Sequence, residues 1–285
     1  MEVIRTIAEV RARCDAARAH GSRVALVPTM GALHAGHEAL LADARRRADL
    51  VVMSLFVNPL QFGDAADLAA YPRDEVADAA VAERLGVDVL FAPDAREMYP
   101  SGEPLVTVDP GPLGTRLEGA SRPGHFRGVA TVVAKLLHAV GPCVAVFGEK
   151  DAQQLAVIQR MVGDLNLPVA IVPVETVRES DGLALSSRNL RLDAEGRRIA
   201  VSLFAALKTA QDLIATGRRD VSGIRQLATA MIPTNERLRL EYLEIVDPDS
   251  MEPVETVTSP VLAAGALWVG STRLIDNLLC TTPIR

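Results

Sequence analysis

The chain is poor in cysteine and has neither a strongly basic segment nor a long apolar run, and each lack removes a class of protein. Its 285 residues hold three cysteines, Cys14, Cys143 and Cys280, an odd and widely spaced set that makes no disulfide framework and suits reducing surroundings. Met1-Glu2-Val3-Ile4-Arg5 lacks the basic stretch and apolar core of a secretory leader, and no apolar run reaches the roughly 18 residues of a membrane helix. A cytoplasmic protein without membrane attachment is expected. The net charge of −6 leaves no basic footprint for nucleic acid, so anionic substrates must be held by local cations and backbone dipoles. Repeats, low-complexity tracts and long charge runs are also missing.

What is present is the composition of a globular protein with a full core, 49% hydrophobic and 23% charged. The length suggests two domains. Short apolar segments at 24–27, 50–57, 87–91, 144–147 and 169–172 read as strands, the second and fourth continuous enough to be buried on both faces. Between them, Val129, Val132, Val133, Leu136, Leu137 and Val140 recur at helical spacing, as do Leu155, Ile158, Val162 and Leu165. Strands alternating with crossover helices predict a Rossmann-like, doubly wound parallel sheet over residues 1–176, with its ligand crevice at the carboxyl ends of the strands. After that the rhythm changes. A loop at 178–189, a long helical region at 193–216, another at 221–231 and strands at 238–245 and 261–274 predict a smaller α+β domain over 177–285 that closes over the first.

The densest chemical signal is Pro28-Thr29-Met30-Gly31-Ala32-Leu33-His34-Ala35-Gly36-His37, directly after the first strand. A strand entering a glycine turn and a helix start leaves backbone N–H groups free at the positive end of a helix dipole, which is an anion site. His34 and His37 stand one turn apart on one face and can both point at the anion. His-x-Gly-His in this setting is the signature of nucleotidylyltransferase-type Rossmann domains and implies chemistry at an α-phosphate. The plainer readings are a pair of surface histidines or part of a zinc site, but no third ligand stands at recognisable spacing, with His20, His125 and His138 scattered along the chain.

Three further segments end strands or open the second domain. Asn58-Pro59-Leu60-Gln61 offers two amides able to donate and accept, although Asn-Pro also makes plain turns. Gly148-Glu149-Lys150-Asp151 brings a cation to a second strand-to-helix turn, where Asp151 and Gln154 also fit a helix-capping box. Leu185-Ser186-Ser187-Arg188-Asn189 places hydroxyls and a guanidinium on a loop suited to wrapping phosphates, or is simply a polar loop.

Together with Gly124-His125-Phe126, these segments in this order and spacing resemble the pantothenate synthetase family over essentially the whole chain. The resemblance implies an ATP-dependent ligase that joins pantoate to β-alanine through a pantoyl-adenylate, with Mg²⁺, as a homodimer joined through the nucleotide-binding domains. It implies that Met30, Gly31, Ala32, Leu33, His34, Ala35, Gly36 and His37 hold ATP, with His37 the proton donor. Gly148, Glu149, Lys150 and Asp151 match the rest of the nucleotide site, Val177 a backbone contact to adenine, and Leu185, Ser186, Ser187 and Arg188 the closing phosphate loop. Gln61 and Gln154 match pantoate-binding positions, Gln61 also lying near β-alanine. Asn58 joins that set as support for Gln61, and Arg122 as part of a bordering loop. His34, His37, Lys150 and Arg188 form the catalytic set, and no dedicated protein site for a metal is implied. Leu185 departs from the Met common in the family. Two other functions are open on the residues alone: a nucleotidyltransferase acting on a phosphorylated acceptor, and a non-catalytic nucleotide-binding module.

Overall fold

The computed structural model describes residues 1–63, 65–258 and 260–282. By its own contacts the chain divides into two compact units, Met1–Glu149 with Gln153–Glu175, and Lys150–Ala152 with Thr176–Arg285. Ser259 and residues 283–285, inside the range expected for the second domain, lie outside the described residues.

The first unit is built on a six-stranded parallel sheet of β1 (Glu2–Ile4), β2 (Val24–Thr29), β3 (Leu50–Leu55), β4 (Val89–Phe91), β5 (Cys143–Gly148) and β6 (Val169–Val174). Their order is β1-β4-β3-β2-β5-β6. The chain runs outward from β2 through β3 and β4, then returns to the other side of β2 for β5. That reversal makes the gap beyond the carboxyl ends of β2 and β5 the topological switch point, where parallel sheets leave their crevice. Leu26, Met53, Leu90 and Phe91 are fully buried in the strands, as are Leu41 and Ile158 on the helices Ala35–Arg47 and Ala152–Asp164. The helix His125–Val140 carries the predicted apolar stripe.

Several boundaries differ from the sequence reading. β1 was not foreseen, because three residues including an exposed Glu2 give no measurable period. β3 stops at Leu55, two residues early, because Asn58 caps a 3₁₀ turn, Pro59–Gln61, that redirects the chain. Asp151 closes the 3₁₀ turn Glu149–Asp151 that runs directly into the helix Ala152–Asp164. It therefore sits inside a helical turn, and among the described residues no capping hydrogen bond joins it to Gln154.

The second unit packs the helices Ala194–Ala200, Ser202–Ala215 and Val221–Thr229 with a three-stranded antiparallel sheet of β7 (Leu238–Val246), β8 (Val261–Val269) and β9 (Thr272–Cys280). The long helical region breaks at Val201 into two helices. The segment 261–274, read as one strand, is the start of a hairpin turning at Gly270-Ser271, where Gly270 has φ +57°. Two-residue turns of this hand need a residue that tolerates positive φ. Leu203, Leu207, Ile214 and Ile224 form the apolar layer with Ile245, Ala263 and Leu267.

Candidate active site

The turn after β2 does not keep its backbone N–H groups open, as the sequence reading expected. Ala32 and Leu33 donate theirs to the two carboxylate oxygens of Asp78 at 3.0 and 2.9 Å. His34 is the N-cap of the helix Ala35–Arg47 in an extended conformation, and its Nδ1 accepts from the Gly36 N–H at 3.1 Å. Its own N–H donates to His37 Nδ1 at 3.3 Å, which closes a reciprocal capping box made of two imidazoles. The rings lie 4.2 Å apart between centroids. Each Nδ1 faces a backbone donor, so in the neutral ring the proton resides on Nε2. Two amides of this turn are thereby already committed to a carboxylate, and the donors it keeps are imidazole N–H groups and the helix start.

Gln61 stands at the end of the turn after β3 and is held from several sides. Its Nε2 donates to the Met30 sulfur at 2.7 Å, which joins the first and second motifs. A thioether is a weak acceptor, so a substrate oxygen offered to that N–H would be a better partner. The Gln61 Oε1 accepts from Asn58 Nδ2 at 3.3 Å. Asn58, 1% exposed, spends its other contacts on Gly128 O, the Leu60 N–H and the Tyr99 hydroxyl, the last at 2.8 Å. Asn58 is thus consumed inside the protein and positions Gln61. Burial pushes the Tyr99 hydroxyl above its usual range, which keeps it a donor. Because Tyr99 must donate to Asn58 Oδ1, Asn58 must donate to Gln61 Oε1, and the Gln61 amide group turns its Nε2 toward Met30.

The main chain of Gln61 is fixed as firmly. Its carbonyl accepts from His125 Nδ1 at 2.8 Å and from Arg122 Nη2 at 3.3 Å. Arg122, expected to border the pocket, therefore braces the Gln61 backbone. A Cβ at Gly128 would come within 2.3 Å of Leu60 O, so only glycine lets the helix His125–Val140 approach this turn.

Two adjacent glutamines at the start of the helix after β5 divide their roles. Gln153 is buried and saturated, accepting from the Glu118 N–H at 3.0 Å and donating to Leu113 O and Arg116 O. Gln154 is half-buried, and among the described residues its amide makes no hydrogen bond. Beside them, burial, and then the nearby charge of Glu175, hold the Glu149 carboxyl above its ordinary range.

The remaining expected residues belong to the second unit. Lys150 Nζ lies 3.6 Å from Asp151 Oδ1, and the Lys150 carbonyl accepts from Asn277 Nδ2 at 2.9 Å. Arg178 forms a two-point ion pair with the buried Asp276 at 2.6 and 2.9 Å and also donates to Gly182 O, which ties the loop after β6 to β9. Leu185 N–H donates to the Val177 carbonyl at 3.0 Å. Ser186 Oγ accepts from the Arg188 N–H and starts the 3₁₀ turn Ser187–Arg191. Among the described residues Arg188 has no ion-pair partner. Lys150, Ser186, Arg188 and Asn189 line one cavity, and the buried Asn189 Oδ1 has no hydrogen-bond partner there.

Comparison with known proteins places the chain in a family. The family model for pantoate–β-alanine ligase matches residues 2–279. The pantothenate synthetase of Heliobacterium modesticaldum is 52% identical over 279 residues, spanning 98% of this chain and 99% of its own. That of Corynebacterium glutamicum is 54% identical over 267 residues, 91% of this chain and 94% of its own. The chain belongs to the pantoate–β-alanine ligase family. Among solved structures, the Thermus thermophilus pantothenate synthetase superposes with a TM-score of 0.89 at 46% identity, covering 98% of this chain and 99% of that one. The Francisella tularensis pantoate–β-alanine ligase, in complex with β,γ-ATP and β-alanine, superposes with a TM-score of 0.79 at 32% identity, covering 98% and 97%.

In this ligase, sequence reasoning had missed Asp78, Tyr99, Gly128, the role of His125, and the brace of Arg178, Asp276 and Asn277. Each acts by filling a partner's hydrogen bond or leaving room for it, which no local pattern announces. The Tyr99 link is directly checkable. Tyr99→Phe keeps the ring and removes the donor that orients Asn58, so KM for pantoate should rise about 3- to 10-fold with KM for ATP nearly unchanged, as for loss of one buried neutral hydrogen bond. Unaltered pantoate kinetics in a folded Tyr99→Phe enzyme would contradict the orientation chain.

Proposed function

We propose that this ligase condenses pantoate with β-alanine in two steps, with His34, His37, Lys150 and Arg188 serving the nucleotide and Gln61 and Gln154 serving pantoate. In the first step a pantoate carboxylate oxygen attacks the α-phosphorus of ATP, the bond to the β-phosphate oxygen breaks, and diphosphate leaves. In the second the β-alanine nitrogen attacks the acyl carbon, AMP leaves with the bonding electrons, and the amine gives up its proton. The products are pantothenate, AMP and diphosphate.

The observation that carries this reading is the imidazole capping box, since it occupies both Nδ1 atoms with backbone donors and so keeps the proton of each neutral ring on Nε2 at a helix start. Attack by a carboxylate on a triphosphate brings negative charges together, and preorganised donors offset that build-up without reorganising. Arg188, with no competing ion pair among the described residues, and Lys150, loosely held by Asp151, supply mobile positive charge to the phosphates. Gly31, Ala32, Leu33, Ala35, Gly36, Gly148, Glu149 and Asp151 shape the nucleotide site, Val177 lies against adenine, and Leu185, Ser186 and Ser187 carry the phosphate loop. Leu185 in place of Met conserves side-chain volume and costs little. The second step needs close placement of the amine and exclusion of water more than acid–base help, because an acyl adenylate is already activated. Residues 1–176 form the nucleotide- and pantoate-binding domain and 177–285 its lid.

Mg²⁺ is proposed to arrive on the triphosphate. Among the described residues no group of three His, Cys, Asp or Glu is assembled to hold a metal, and no step above is routed through the ion. Homodimeric assembly through the nucleotide-binding domains and a cytoplasmic location belong to the same proposal and rest on the family resemblance. Among the described residues no helix is long and apolar enough to cross a membrane. A nucleotidyltransferase using the same histidines would have no use for Gln61 and Gln154 aimed at a hydroxy acid.

The test is exchange of diphosphate into ATP in the presence of pantoate alone. His34→Ala or His37→Ala should slow it at least about 100-fold, the loss of one transition-state stabiliser of roughly 3 kcal/mol, while attack of β-alanine on preformed pantoyl-adenylate suffers less. Formation of ADP, or no exchange without β-alanine, would overturn the scheme.

The glutamine pair gives a second check. Gln154→Ala should lower kcat/KM for pantoate about 10- to 100-fold with little change in melting temperature. Gln153→Ala, which orphans one buried N–H and two carbonyls, should instead lower the melting temperature. The reverse pattern would remove Gln154 from the pantoate site.

A further inference from the structure

The buried carboxylate of Asp78 is not used by any step above, yet it touches the catalytic turn. Asp78 lies on the helix Glu75–Arg84, 5% exposed, and among the described residues no Lys, Arg or His pairs with it. An ionised carboxylate buried without a counter-charge is costly unless strong donors compensate it. The donors it has are the Ala32 and Leu33 N–H groups at 3.0 and 2.9 Å. The backbone it holds is one that L-residues avoid: Gly31 has φ +86° and Ala32, with a side chain, has φ +53°. A Cβ at Gly31 would come within 2.6 Å of the same Asp78 oxygen, so the glycine is also needed for the carboxylate to reach the turn.

We propose that Asp78 is a positioning residue for the adenylation step, holding the Gly31-Ala32-Leu33 turn in its left-handed path so that His34 begins its helix with Nδ1 over the Gly36 N–H. This inference rests on the reading that His34 and His37 serve the nucleotide. Its consequence is specific. The two N–H groups that an anion at this turn would otherwise take are given to a carboxylate, so the phosphates are left to the imidazole N–H donors. Release of the carboxylate would let Ala32 relax to a right-handed or extended conformation and carry His34, two residues on, out of the capping box.

Two measurements test it. In the unliganded wild-type protein, the Ala32 and Leu33 amides should be protected from hydrogen exchange. Exchange as fast as that of an exposed loop would overturn the proposal, whatever the histidines do. Asp78→Asn offers one acceptor and one donor to two donors, so it should remove that protection. It should slow diphosphate exchange with ATP and pantoate at least about 10-fold, while consumption of preformed pantoyl-adenylate by β-alanine changes less than about threefold. Asp78→Glu, which keeps the charge but displaces the two acceptor oxygens, should split the half-reactions the same way and serves if Asp78→Asn does not fold. Equal loss in both half-reactions, or in neither, would assign Asp78 a purely structural role. A failure of the histidine reading shows separately, as intact exchange activity in His34→Ala with the two amides still protected.

Discussion

Two backbone N–H groups pointing at two imidazole Nδ1 atoms set most of what this site can do. A capping box normally pairs a hydroxyl at the N-cap with a carboxylate or amide three residues later. Here His34 and His37 take both roles, so the interaction that starts the helix Ala35–Arg47 also chooses the ring tautomer. The helix and the chemistry are then one constraint. The helix begins where β2, at the centre of the sheet, delivers the chain, beside the switch point between β2 and β5. Moving the cap would move the donors.

The same economy governs the turn that carries Gln61. The Gln61 side chain is oriented through Asn58 by Tyr99, its carbonyl is braced by Arg122 and His125, and its turn fits against a helix only because residue 128 has no side chain. Buried polar chains of this kind are strong when complete and costly when broken, since each member depends on its neighbour's donor or acceptor. They leave the Gln61 amide with one weak thioether acceptor for its Nε2. In the second unit the buried Arg178–Asp276 pair does comparable work for the loop that carries Arg188. Breaking it would leave a buried charge uncompensated, which costs about 3–5 kcal/mol.

The parts of this architecture that are contiguous in sequence were legible. The alternation of apolar strands and helices announced the parallel sheet, and His34, His37, Gln61 and Lys150 lay within short motifs at strand ends, with Arg188 in a polar motif that opens the second unit. The parts that depend on tertiary neighbours were not. Asp78 sits in a short alanine-rich helix, and nothing around it in sequence tells of a turn more than forty residues away. β1 is too short to have a period, and the break at Val201 has no glycine or proline to mark it. The β8–β9 hairpin is different, because Gly270-Ser271 between two apolar runs is a recognised turn signal that the long apolar segment obscured. The helix-cap reading of Asp151 and Gln154 matched a pattern correctly but missed that a 3₁₀ turn already occupied the position.

The central claim is that the backbone fixes the imidazoles of His34 and His37 as Nε2–H tautomers before any substrate arrives. Nitrogen-15 NMR of the histidine rings in the unliganded protein, at a pH where they are neutral, tests it most directly. The account predicts an unprotonated Nδ1 and a protonated Nε2 for both His34 and His37. A proton on Nδ1 of either ring would mean that the capping box does not exist in solution and that the donors toward the phosphates are set by something else.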